Sequence, residues 1–572
     1  MRPHPHRSPP ARSRLLPELG LLAGVLAVAL AVRLWFLASL DLRDLPGPAS
    51  GTLLMRFVDR SDPAPPPPDL LIRGLWALSD HLAAAHLSLA PLSLVRGAMV
   101  VLSLLGVLGA TLAGRALGGR WGALGAGLLA ATWSLAVQSG LMISYDTAAL
   151  GLGWLGLGMV LLAPRLSWPG LLVALPGLAL VSLAAMLKEV ATPLLALVAV
   201  APLVAGRRWR LGLAFALLLG PPLVLAAQHL GPLPPGATGV ATLDLAGLGP
   251  GGQGALAPTL GSAQVAAGLS TLWRYLLVDQ GQACNIFLPL AAVGAVAGLL
   301  PGPRWPARLA MVAAALVCLG LSTSAITVSW MRLRYLEVPG MVAPVLAGVN
   351  LGLVGAGITR LGRGRPWSLA LGALPLAAGA VLLLLDAIDL AWEVHRARAF
   401  QTELAEPTLP GPLHRAWNVN DRRVGTQAAD LTVRHGSLVS RALVGAPPGP
   451  LAVPGLRDGR ERQVLALGAL QGHAPLALEE QRCCSQGEDP TACATRVVAA
   501  VDGAGALLLV PGEDDLRMDV QQLPWLHALR AAAEAHMQTL TLDPSWDLWA
   551  ATGSGGRRPC DPADAGKPSA AP

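Results

Sequence analysis

Lysine is almost missing from this 572-residue chain. Lys188 and Lys567 are the two present, and the other 40 cations are arginine. Charge of either sign is scarce, at 13% against 53% hydrophobic residues, and the mean hydropathy is +0.54. So little charge over this length excludes a purely water-soluble protein and indicates a polytopic membrane protein with room for one further soluble domain. No Gly-rich phosphate loop, His-rich metal motif, Ser-His-Asp arrangement or internal repeat stands out. Cysteine is sparse as well, six in all, with Cys318 read as core packing in the membrane and Cys483, Cys484, Cys493 and Cys560 grouped towards the C-terminus. The Cys483-Cys484…Cys493 spacing is not a usual zinc pattern, so disulfides in an oxidising compartment are expected ahead of a metal.

The little charge there is divides unevenly. Residues 1–391 hold 25 basic and 14 acidic residues, and residues 392–572 hold 17 and 21. The positive excess therefore belongs to loops between apolar runs, and no nucleic-acid partner follows from it. Eleven runs approach the ~20 residues needed to cross a bilayer. They are Leu19–Ser39, Leu92–Gly114, Trp121–Ser139, Ile143–Ala163, Pro169–Leu187, Val190–Ala205, Leu211–Leu230, Cys284–Leu300, Ala307–Val328, Val338–Ile358 and Trp367–Leu390. The first is read as an uncleaved helix behind a cytoplasmic tail at 1–18, because it is long for a signal-peptide core and Ala38-Ser39 is a weak cleavage site. With the N-terminus inside, the inner segments carry 15 basic residues against one acid, Glu18, and the outer segments carry the other 10 basic residues and 13 acids. That asymmetry sets an N-in, C-out expectation.

Two long loops fall outside, 40–91 and 231–283. The first contains the extended spacer Pro65-Pro66-Pro67-Pro68. After it, Asp69 to Leu89 alternates at helical spacing with Trp76, His81 and His86, which reads as a helix lying on the outer surface. The second loop closes on Val265–Leu277, with Trp273, Arg274 and Tyr275, another interfacial candidate. From about Ala391 the composition turns polar, with apolar runs at Gln463–Leu470 and Arg496–Val510 and a helix-like Leu523–Met537. The expected fold is thus an all-α membrane domain at 19–390, a small extracytoplasmic α/β domain at 391–552 and a disordered tail at 553–572.

Four polar groups sit where apolar runs meet the outer side: Asp41/Asp44, Ser144-Tyr145-Asp146, Lys188-Glu189, and Arg332-Leu333-Arg334-Tyr335 ahead of Glu337. Each has a plain reading by itself. Lys188-Glu189 can be a neutralised turn pair, Asp146 a helix-capping residue, and the two arginines snorkelling cations. Together they place carboxylates and cations at one depth on one side. Cations at an interface can hold a phosphate whose lipid tail stays in the bilayer, and arginine offers it a bidentate fork. A facing carboxylate can take a proton from an acceptor hydroxyl, and charge developing on a departing phosphate is stabilised by the same cations. Asp44 is favoured as base over Asp41, because Pro46-Gly47 turn the chain away and leave its carboxylate at the surface; at i, i+3 the two share a helical face.

The order of these parts resembles the GT-C membrane glycosyltransferases, in particular the protein-mannosyltransferase and aminoarabinose-transferase group known as glycosyltransferase family 39. The resemblance rests on Asp41 and Asp44 after the first span, Pro66-Pro67-Pro68-Asp69-Leu70 leading to a surface helix, and the run from Leu94-Val95-Arg96-Gly97 through Gly114-Arg115-Ala116-Leu117-Gly118-Gly119-Arg120. Lys188 at the head of the sixth span and Arg334-Tyr335-Leu336-Glu337-Val338-Pro339, similar to the family's RYLLP element, complete it. It covers roughly residues 15–390, with two departures: the acidic pair is split by Leu42-Arg43, and the His usual before the Pro-Pro element is absent. The resemblance implies transfer of a sugar from a polyprenyl-phosphate donor to a glycan, lipid or protein acceptor on the outer face of a bacterial plasma membrane, with no further cofactor and no metal. Two other classes fit the same composition. A transporter or flippase of lipid-linked substrates should show inverted repeats and midplane polar groups, whereas a non-catalytic anchor should tolerate replacement of the outer charges.

Overall fold

The computed structural model describes residues 12–39, 69–85, 91–133, 143–163, 169–188, 193–198, 305–328, 337–362, 365–401, 446–455, 471–478, 480–484, 487–511, 523–542 and 546–551, with single positions between them. The membrane part is built from α1 (Arg12–Ser39), α2 (Asp69–Ala84), α3 (Pro91–Thr132), α4 (Tyr145–Leu162), α5 (Pro169–Leu187), α6 (Leu194–Val198), α7 (Trp305–Val328), α8 (Glu337–Gly340), α9 (Val342–Leu361) and α10 (Pro366–Gln401). Four described helical stretches are long and apolar enough to cross a membrane: Leu92–Thr132, Tyr145–Leu162, Val338–Leu361 and Pro366–Leu385. The chain is a multi-pass membrane protein.

Helix α3 contains two of the expected spans. Gly119 adopts φ 76°, ψ −151°, a left-handed conformation that suits glycine, and the chain doubles back there. The two arms face each other, since a Cβ on Gly127 would lie 2.5 Å from Thr111 Oγ1, and Ser103 Oγ bonds the carbonyl of Ala136. The outgoing arm (91–118) and returning arm (120–132) thus form an antiparallel hairpin.

Glycines set the approach of the other helices. The Cβ positions of Gly151 and Gly158 point at the backbone of Leu102 and Gly109. The offset is the same in both pairs, so α4 runs parallel to the outgoing arm. A Cβ on Gly177 would meet the Gly156 carbonyl oxygen at 2.8 Å, and one on Gly153 would meet Ala184 Cβ at 3.3 Å, so α5 is antiparallel to α4. Gly348 and Gly352 meet Gly125 and Trp121, which makes α9 antiparallel to the returning arm. Between membrane helices, lipid removes most of the hydrophobic drive, and small residues let backbones pack closely instead. Helix α4 is apolar all round and buried from Asp146 to Leu161 apart from a few positions. Helix α10 instead exposes Trp367, Leu374, Val381, Leu382 and Leu385, as a lipid-facing outer helix does.

The membrane end at which α1 finishes and the outgoing arm begins is called upper here; it is the end that the charge pattern leads one to expect outside. Of the expected sixth span α6 is the main described part, and the seventh and most of the eighth lie outside the described residues. Helix α10 continues through Leu390 to Gln401, past the point where the apolar run stops.

The C-terminal region is a mixed α/β fold. Its elements are β1 (Leu451–Pro454), β2 (Pro475–Leu478), α11 (Glu480–Cys483), α12 (Pro490–Gly503), β3 (Leu507–Pro511), α13 (Leu523–His536), β4 (Gln538–Leu542) and β5 (Trp546–Ala550). The sheet order is β2-β1-β3-β5-β4. Strand β1 pairs in parallel with β2 and with β3, in register Leu451↔Pro475 and Leu451↔Leu507, while β5 runs antiparallel between β3 and β4. Asp489 caps α12 by accepting from Ala492 N at 3.1 Å, with Pro490 at the first turn, a combination that starts helices well. Val497, Val498, Val501, Trp525, Leu529 and Trp549 fill the core with the strands. A disulfide joins Cys484 to Cys493 with 5.6 Å between Cα atoms, and Cys483 is disulfide-bonded as well.

Candidate functional site at the upper membrane end

The upper end has its own small core. Helix α2 shows apolar residues at 71, 72, 75, 76 and 82, the spacing of one helical face. Ile72 and Leu75 bury against Leu94, Val95 and Met99 of the outgoing arm and against Ile143. Leu53, Leu54 and Phe57, helical positions between α1 and α2, join the same cluster, and Trp76 Nε1 donates to the Phe57 carbonyl at 2.9 Å. Leu53, Leu54 and Phe57 are therefore held down on the bundle, with α2 packed beside the starts of α3 and α4.

Helix α4 starts in that core. Ser144, in extended conformation, caps it by accepting from Asp146 N at 2.9 Å, and its hydroxyl donates to Asp146 Oδ2 at 3.1 Å. Asp146 thus sits in the first turn, where the helix dipole favours negative charge, and both residues are buried. Tyr145 packs on the upper core. The fourth span starts at Ser144-Tyr145-Asp146 as expected, but the capping residue is Ser144 and not Asp146, which lies in the first turn.

Lys188 directly follows α5, its amide still bonded to Ala184 O at 3.0 Å, and its carbonyl accepts from Ala191 N at 3.0 Å. Gly153 faces Ala184, so one turn further up Lys188 stands level with Ala149. At 1.5 Å rise per residue this is about 5 Å below Asp146. Tyr145, Asp146 and Lys188 therefore lie within about one helical turn of each other in height at the upper end. Asp41, Asp44, Glu189, Arg332, Arg334 and Tyr335 lie outside the described residues. The helix after the last three is fixed, however. Trp154 Nε1 donates to the Val338 carbonyl at 2.7 Å, tying α8 to the middle of α4.

Three features of this region go beyond the sequence expectations. Arg33 and Arg96, counted among the outer cations, are buried at 0% and 3% exposure. Arg33 lies between α1 and the hairpin, bonded to Ser103 and to backbone carbonyls. An arginine inside an apolar run is itself a signal, because an intramembrane charge is costly unless held. The Trp154–Val338 bond has no comparable signal. Among the described residues no group of three or more His, Cys, Asp or Glu could hold a metal ion.

No protein-family model matches the chain, and no curated protein matches it significantly. Among solved structures, it is similar to ArnT from Cupriavidus metallidurans bound to undecaprenyl phosphate, at 17% identity over 94% of this chain and 99% of that one, with a TM-score of 0.48. It is also similar to the archaeal oligosaccharyltransferase AglB from Archaeoglobus fulgidus in complex with an inhibitory peptide and a dolichol-phosphate, at 13% identity over 93% and 74% of the two chains, with a TM-score of 0.43.

Proposed function

We propose that the protein is a membrane glycosyltransferase that moves a sugar from a polyprenyl-phosphate donor to an acceptor on the outer face of a bacterial plasma membrane. The observation that supports this best is the antiparallel register of α4 and α5, which brings a carboxylate, a phenol and a lysine within about one helical turn of each other in height at a membrane end. A lipid-linked phosphate presents its charge at that depth while its tail stays in the bilayer. Lys188, with Arg332 and Arg334 ahead of α8, holds the donor phosphate. Asp44 is the general base, with Asp41 the alternative, and Tyr145, Asp146, Glu189 and Tyr335 complete the polar lining. The acceptor hydroxyl gives its proton to the carboxylate as its oxygen bonds the anomeric carbon, the bond from that carbon to the phosphate oxygen breaks, and polyprenyl phosphate leaves with its charge on the cations.

The test is sugar transfer in vesicles alongside donor binding. Asp44→Asn should lower turnover by about 100- to 10,000-fold while the protein still inserts and binds donor. Near-normal turnover in both Asp44→Asn and Asp41→Asn proteins would make this loop a wet interface and end the assignment. Movement of lipid-linked sugar across the membrane without transfer would favour a flippase instead.

A further inference from the structure

The first membrane helix carries a cation that the proposed reaction leaves unused. Arg33 is fully buried in α1, and its described hydrogen-bond partners are all uncharged. Nε donates to Ser103 Oγ at 2.7 Å, Nη1 to the Ala29 and Ala131 carbonyls at 3.1 Å each, and Nη2 to the Ala136 carbonyl at 3.4 Å. Ser103 Oγ also donates to the Ala136 carbonyl at 3.4 Å. One guanidinium therefore joins α1, the outgoing arm and the end of the returning arm.

The chemistry explains how the charge is held without a carboxylate. The last carbonyls of a helix lack partners within it and carry the negative end of its dipole, and Ala131 lies one residue before the returning arm ends at Thr132. Arginine suits the position because its planar group presents five donors in fixed directions, whereas the lysine ammonium presents three from one point.

Two of the tied segments lead directly into stretches that bear carboxylates. Six residues after Arg33, α1 ends at Ser39, and Asp41 and Asp44 come next in sequence. Beyond Ala136 the chain reaches Ser144, Tyr145 and Asp146. We infer that Arg33 is a positioning residue: it fixes α1 against the outgoing arm at Ser103, beside Leu102 on which α4 packs through Gly151, and so sets the upper end of α1 relative to Tyr145 and Asp146 at the start of α4. This rests on the function proposed above for its catalytic consequence, but not for its geometry.

The experiment uses the full-length protein in nanodiscs, with Arg33→Lys and the milder Ser103→Ala. One readout is free of function: the distance distribution between nitroxides at positions 35 and 101, both exposed, in a background with Cys284 and Cys318 replaced by alanine. The other is kcat and donor KM per inserted molecule. The expected result is a single narrow distance in the parent, broadened or shifted in Arg33→Lys, with kcat down by about 100-fold, the scale of a 1 Å misplacement, and donor KM changed less than about two-fold. Ser103→Ala should show a smaller change of the same kind. A distance unchanged in Arg33→Lys, or a shifted distance with unchanged kcat, overturns the inference; so does a loss confined to the amount of inserted protein. Absence of transfer in the parent would remove the proposed function and leave the distance measurement to decide the anchor alone.

Discussion

Removing the Cys484–Cys493 disulfide should loosen the C-terminal domain by an amount set by the loop it closes. The two cysteines are nine positions apart. In the chain-entropy account, closing a loop of that size takes away entropy from the unfolded chain worth about 2.6 kcal/mol at 25 °C. The bond ties α11 to α12, and α12 packs its Val497, Val498 and Val501 under the sheet, so the constraint acts on the core of the domain. The perturbation is the double change Cys484→Ala and Cys493→Ala, which leaves Cys483 as it is. The assay is hydrogen exchange of the full-length protein, monitored at the amides of Leu507–Val510 in the central strand β3, which exchange only when the domain opens. A loss of about 2.6 kcal/mol corresponds to roughly 80-fold faster exchange. Exchange within about two-fold of the parent would refute the reasoning, since the bond would then constrain nothing that the unfolded chain can lose.

Trp154→Phe keeps most of the ring but deletes the donor to the Val338 carbonyl at 2.7 Å; leaving a buried carbonyl unpaired should cost about 1–3 kcal/mol, read as a lower thermal midpoint in detergent, and an unchanged midpoint would show that the bond is not formed. Gly158→Val should push α4 off the outgoing arm, because its Cβ position already meets Gly109 backbone; a loss of about 1–3 kcal/mol is expected, and normal stability would rule out this close packing. A reporter fused after Gln401 should work only as an extracytoplasmic enzyme; activity of a cytoplasm-only reporter there would reverse the orientation and with it the proposed site. Lys188→Ala should raise donor KM, and unaltered donor binding would remove Lys188 from the phosphate contacts.

The membrane architecture is legible in the sequence where it depends on apolar length alone. Leu92–Gly114 and Trp121–Ser139 are separable because Gly118-Gly119 between two apolar runs is where a chain can reverse, and Gly119 does so at positive φ. The amphipathic spacing of 69–84 identifies α2, and the polar composition beyond 391 identifies the α/β domain. The end of α10 is not legible in this way, because hydropathy marks where a helix leaves the bilayer, not where it stops: Ala391 to Gln401 are mostly good helix formers, and the helix continues through them. Leu53, Leu54 and Phe57 are helical and lie at i, i+1, i+4, but three apolar residues are too short a run for that period to stand out in sequence. The level shared by Asp146 and Lys188 is expected from topology, but the register that sets it comes from Gly153, Gly156 and Gly177, whose contacts no hydropathy pattern encodes.

Arg33 shows why charge counting needs one more rule in a chain of this kind. Counting basic residues by segment places it on the outer face, because loops decide orientation by their cations, yet it lies six residues inside α1. An arginine near the centre of a membrane helix costs about 2.5–3.5 kcal/mol on insertion scales, and here no carboxylate among the described partners offsets it. Its partners are instead a hydroxyl and three backbone carbonyls, one of them, that of Ala131, at the end of the returning arm. Excluding Arg33 from the outer set makes the outer segments more acidic than before and the inner-to-outer contrast larger. The orientation argument thus grows stronger when the buried cation is removed from it, while the cation itself passes from topology to the packing of three spans.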